Sequence, residues 1–258
     1  MTPAGELLGA VNERRTSMMG QMMKDSLEKW AKIPKAKRLR ATAPAAEPVG
    51  GDRRERLYPK DGLTLRSFQR DFPGGDKTTD WMDKAWNTDT LWYNAEELKQ
   101  WLPQAGAKKY EIPAPLVRRF ARFNFVDMVR GQTVGFDDDH ITASLAAEIT
   151  GSKNGVVSIK FTGAAKAVQK GTWALSEQQG PSAQERGYDF KMLGKANFDT
   201  AKNKFTLFEI VAVGPRWGGW RTNRRENDLA AAPMGCVIKL NDEGDRVPPS
   251  GIWRYGWR

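Results

Sequence analysis

The densest group of chemically capable side chains is Arg216, Trp217, Trp220, Arg221, Arg224 and Arg225. Four arginines and two tryptophans fall within ten residues, with no acid among them. Guanidinium groups grip phosphate and carboxylate as a fork, and indole faces stack on bases, sugar rings or cations. The segment is therefore a candidate binding loop for an anionic or ring-bearing ligand. The competing reading is structural: Gly218 and Gly219 let the loop fold back, with Arg stacked on Trp inside the same chain.

Two acidic sets are weaker candidates. Asp137, Asp138 and Asp139 precede His140 and could offer oxygen ligands to a divalent cation. Neighbours in an extended chain cannot all point inward, however, so a solvated surface run is the expected reading. Asp127, Asp189 and Glu209 could serve as general acids or bases if a pocket gathered at least two of them. Glu209 shares a strand face with Leu207 and Val211, or pairs with a cation such as Arg130. The chain has one cysteine and one histidine. That excludes an internal disulfide and a Cys/His zinc cluster within one chain. Cys236, in the apolar run from Met234 to Leu240, reads as an inert core thiol. No nucleotide-binding, nucleophile-elbow or HExxH motif is present. No catalytic residue, metal ligand or cofactor is assigned.

The elements that must position these residues follow from periodicity. Ile141 to Ile149 alternate apolar with polar side chains, and so do Val157, Ile159 and Phe161 after a turn at 151–155. Tyr188, Phe190 and Met192 begin a second pair, which runs through Phe198 to the apolar stretch 204–213. These hairpins, 141–163 and 187–213, together with a strand at 234–240, give an antiparallel sheet of about five strands. No crossover helices of adequate length separate these strands, and parallel pairing would need them. A helix at about 115–130, opened by Pro115 and ended at Gly131, is the expected cover for one face, so the fold class reads as α+β. Asn94 and Glu97 have the spacing of a capping box. Residues 57–92 read as irregular or short-stranded. The stretches 164–186 and 214–233 read as long loops, which often carry function.

The chain has 258 residues, a formal charge of +10 and ten tryptophans. Residues 1–60 hold 13 Lys/Arg against 7 Asp/Glu, so +6 of the excess lies there. Within residues 1–32 a helical arm carries Met18, Met19, Met22, Met23 and Trp30 near helical spacing, a face suited to docking on a partner or on its own domain. Residues 33–56 form a basic Pro/Ala-rich linker, and 57–258 the α+β domain. The basic arm could attract nucleic acid, anionic lipid or an acidic protein, or stay a solvated tail. No apolar stretch reaches the ~20 residues of a membrane helix, and no signal peptide is evident at the N-terminus.

From about 58 to 240 the chain resembles an uncharacterised family of bacterial proteins, many with predicted export signals. The resemblance rests on the run from Arg122 to Gly131 (RFNFVDMVRG), on Arg186-Gly187-Tyr188-Asp189 with Leu193-Gly194, on Phe208 to Gly214, and on Arg216-Trp217-Gly218. It implies a shared fold and an exported or periplasmic location; without it a cytoplasmic one is expected. It supplies no activity. The favoured expectation is a non-enzymatic binding or structural/assembly domain, engaging a protein partner or larger assembly through residues 1–56. The alternatives are a hydrolase-like enzyme using acidic residues, and a nucleic-acid-binding protein using the basic arm and the Arg/Trp loop.

Overall fold

A computed structural model describes residues 7–10, 16–38, 54–72, 81–103 and 106–257. The chain divides into two compact units, Met1–Gly51 and Asp52–Arg258.

The first unit is built on α1 (Thr16–Lys32), followed by the single turn α2 (Lys35–Arg38). Arg38 donates to the carbonyls of Ala31 and Ile33 and lies over the Trp30 ring at 5.9 Å. A cation thus meets the unpaired C=O groups at the end of α1. Lys29 reaches back to the Leu8 carbonyl at 3.0 Å. The linker segment 39–53 lies outside the described residues.

In the second unit the expected sheet of about five strands covered by a helix is incorrect. One antiparallel sheet of eight strands forms, in the order β2-β1-β8-β7-β6-β5-β4-β3. Its strands are β1 (Leu63–Asp71), β2 (Trp86–Tyr93), β3 (Lys109–Glu111), β4 (Ile141–Lys153), β5 (Val156–Trp173), β6 (Ser182–Asp199), β7 (Lys204–Trp217) and β8 (Ala232–Leu240). Two of the extra strands, β1 and β2, come from the segment 57–92, read as irregular or short-stranded, and the third is β3. β1 and β2 pair with each other, and β1 then docks on β8, with Phe68 opposite Val237. Most of the presumed loop 164–186 is strand, because β5 and β6 pair without a break from Val156–Asp199 to Trp173–Ser182.

The helix is also shorter than expected. α3 (Ala95–Lys99) carries the capping box: the Asn94 side chain accepts from the Glu97 N–H, and Glu97 accepts from the Asn94 N–H. α4 spans only Ala114–Phe123. The chain leaves helical geometry after Asn124, whose side chain is buried and donates to Ser67 Oγ at 3.0 Å. The following segment, not helix, covers the middle of the sheet: Phe125, Val126, Val129 and Phe136 are all buried. Its backbone is held by Gln69, which donates to the Val126 carbonyl and accepts from the Met128 N–H. Gly131 is not a helix cap. A Cβ there would lie 2.2 Å from the Thr222 carbonyl oxygen, so the position serves close approach of two loops.

One face of the sheet makes the core. Trp101 packs edge-on to Tyr93 and Phe208, and Phe125 packs on Tyr188 and Phe190. Two buried phenols tie α4 to the strands: Tyr93 Oη donates to the Leu116 carbonyl at 2.8 Å and Tyr188 Oη to that of Ala121 at 2.7 Å. Among the described residues no helix is long and apolar enough to cross a membrane.

Candidate functional site

The Arg/Trp loop follows the end of β7 and turns back toward β8. Its arginines divide in two. Arg225 is fully buried and spends all five N–H donors on three carboxylates. Nε and Nη2 donate to Asp127 at 2.7 and 3.0 Å, Nη2 and Nη1 to Asp71 at 2.9 Å each, and Nη1 to Asp228 at 2.9 Å. Arg216, also buried, donates to the Asp228 carbonyl at 2.7 Å and to its carboxylate. Arg130 completes the set, 3.2 Å from Asp71 and 3.0 Å from Asp228. Three cations and three anions therefore neutralise each other. Burial works against the Arg225 charge, but the hydrogen bonds it donates to Asp127 and Asp71 outweigh it and hold its pKa above the ordinary value. Burial likewise opposes the Asp228 charge, and the Arg216 guanidinium with its neighbours outweighs that, leaving the carboxyl below its usual range.

The tryptophans are also committed. Trp220 stacks against Trp173 with centroids 5.5 Å apart, and the Arg186 guanidinium lies over it at 4.7 Å. Phe136 also lies under the Arg186 guanidinium, at 4.6 Å. Arg186 donates to Gln169, Thr133 and the Val134 carbonyl, and among the described residues it has no ion-pair partner. Burial accordingly pulls its pKa down to about 10, with Asp137 opposing. Trp217 donates its indole N–H to Glu185 at 3.0 Å and fills the space over Gly187. Of the six loop residues singled out by sequence, only Arg221 and Arg224 are exposed, and Arg224 lies over Trp81 at 5.2 Å. The arrangement commits Arg216, Arg225, Trp217 and Trp220 to contacts within the chain, and Arg221 and Arg224 remain at the surface.

The acidic candidates do not converge. Asp127 is inside the buried cluster, Asp189 pairs with Lys166 at 3.2 Å, and Glu209 lies 3.8 Å from Lys195 across the strands. Asp137 and Asp138 face Arg122, and His140 is 3.8 Å from Asp139. Among the described residues no group of three or more His, Cys, Asp or Glu is placed to hold a metal ion. On α1, Met18, Met19 and Met23 are exposed, while Met22 and Trp30 are half-buried within the first unit.

What sequence reading missed is the face of the sheet turned away from the core. Phe68, Val237, Val211 and Leu193 stand opposite one another across β1, β8, β7 and β6. Leu193 is 61% exposed, Val211 37%, and Val213 in the adjoining row 43%. Trp86 stacks on Phe68 at 6.1 Å. Phe72 lies across Gly235, where a Cβ would come within 2.2 Å of its ring. The sequence signal for this face is β7, which carries apolar side chains on both faces. No family model, curated protein or solved structure matches the chain.

Proposed function

We propose that the chain is a non-enzymatic binding and assembly domain whose open sheet face receives a protein partner. The observation that carries this is the cross-strand row Phe68–Val237–Val211–Leu193, extended by Val213, Trp86 and Phe72, on the face opposite the core. The solvated face of an antiparallel sheet ordinarily carries polar side chains, and a contiguous apolar patch there marks an interaction surface. Lys160, Lys191 and Lys239 lie on the same face, and none has an ion-pair partner among the described residues. Their chemistry suits a partner with apolar side chains bordered by carboxylates. The exposed Met18, Met19 and Met23 support a second contact through the arm, since methionine adapts to varied surfaces.

The test compares the full chain with a Leu193→Lys/Val211→Lys variant in quantitative capture from native cells. Both positions face solvent, so urea unfolding should change little. A partner held by the parent and lost by the equally stable variant supports the reading. Equal capture by both rejects it.

A further inference from the structure

α4 carries Arg118, Arg119 and Arg122, and the C-terminal turn Ile252–Arg254 brings Arg254 beside them. Together with Pro115, Phe123, Asp138 and Tyr255 they line an open cavity of about 310 Å3. Four guanidinium groups and one carboxylate thus share one hollow. Two of the cations are already matched. Arg119 is paired with Glu97 and enclosed by the rings of Tyr93, Tyr255 and Trp257 at 4.8, 4.4 and 5.4 Å. Arg122 donates to Asp138 at 3.1 Å, and Asp137 lies 3.8 Å away.

Arg118 and Arg254 are different. Both are exposed, and neither makes a side-chain hydrogen bond or ion pair among the described residues. Arg118 stands one turn before Arg122 on α4, a spacing at which like charges destabilise a helix. The hollow therefore gathers positive charge that the fold does not neutralise, beside the tilted ring pair of Phe123 and Tyr255, 5.8 Å apart.

We propose that this hollow is a binding site for a small phosphate-bearing ligand, gripped by Arg118 and Arg254 with Arg122 at its floor. A phosphate ester carries about −1.5 to −2 charges at neutral pH, which matches the two unpaired cations. Its oxygens accept the parallel N–H pairs that a guanidinium presents, and the charge-assisted bonds would be the strong kind. This site lies on α4 and the C-terminal turn, so its failure leaves the sheet-face reading standing.

The experiment is isothermal titration of the full chain with inorganic diphosphate at constant ionic strength, with inorganic phosphate and adenosine monophosphate as second and third titrants. The expected result is one saturable site for diphosphate, weakened about tenfold or more by Arg118→Gln/Arg254→Gln. Arg221→Gln/Arg224→Gln, which removes two exposed arginines elsewhere, should leave it unchanged. Tighter binding of adenosine monophosphate than of inorganic phosphate would assign an organic phosphate, and the reverse a free one. The proposal is overturned if no titrant saturates. It is equally overturned if the Arg118/Arg254 variant binds as the parent does, or if both double variants weaken binding alike.

Discussion

Asp71 and Arg225 stand 154 positions apart and meet through two hydrogen bonds of 2.9 Å each. The pair fastens the end of β1 to the loop that follows β7, with β8 running between them in the sheet. Asp127 joins from the segment after α4, so one guanidinium holds three distant parts of the chain.

Removing that guanidinium strands buried carboxylates. Arg225→Ala should destabilise the domain by about 3–5 kcal/mol, the usual cost of breaking a buried pair from one side. Arg225→Lys should recover little, because an ammonium has three donors where the guanidinium makes five bonds to three carboxylates. Urea unfolding checks this, and a loss under about 1 kcal/mol would mean the cluster is solvated.

Two aspartates give opposite pH signs. Asp228 is held below the usual carboxylate range despite its partial burial, chiefly by Arg216. Its contribution to stability is full above the unfolded pKa, about 3.9, and is lost as pH falls through the folded value. Asp89 is raised by burial, against hydrogen bonds from Ser250 and Thr90. Its contribution is full below the unfolded pKa and is lost as pH rises through the folded one. Melting temperatures from pH 2 to 7 should therefore fall less steeply on the acid side in Asp228→Asn. In Asp89→Asn, the melting temperature should no longer decline through the raised pKa. The reverse assignment of slopes contradicts the geometry.

Cys236 is buried beneath the segment after α4, 3.4 Å from the Asn124 carbonyl. Burial pushes its thiol well above the ordinary range. The thiolate is the reactive form, so the native protein should resist a thiol reagent at pH 8 and react once unfolded. Rapid labelling of the folded chain would refute this placement.

Trp217 depends on Gly187. A Cβ at Gly187 would lie 2.3 Å from the Ala167 carbonyl and 2.4 Å from the indole ring. Gly187→Ala should cost about 1–3 kcal/mol through overpacking. Gly151→Ala, with nothing within 4 Å, should fall within about ±0.5 kcal/mol. Similar losses at both positions would show that the close contacts at Gly187 do not set the effect.

The stretches 141–149 and 157–161 were legible from the sequence because they place apolar side chains inward and polar ones outward, and β7 was legible as an apolar run. β1 was not, because two of its inward side chains are Ser67 and Gln69, and a polar interior hides the period. Their reason is distant: they bind Asn124 and the backbone around it, which no local pattern records. The Arg/Trp loop misled for the same reason. Two of the three carboxylates that balance Arg216 and Arg225, namely Asp71 and Asp127, lie far away in sequence, so these two arginines looked unpaired. Helix α4 was read too long because apolar spacing continues past Asn124 even though the chain there no longer turns helically.

The position of β1 beside β8 has a consequence for biosynthesis. β4 to β8 each pair with the strand just made, but the β1–β2 hairpin is made before them and must wait for β8 before the edge of β1 is satisfied. Throughout that interval β1 presents an open ladder flanked by Leu63, Leu65 and Phe68. A ribosome stalled before β8 would hold a sticky hairpin with no home, so delays late in translation should be the ones that send this chain toward aggregates.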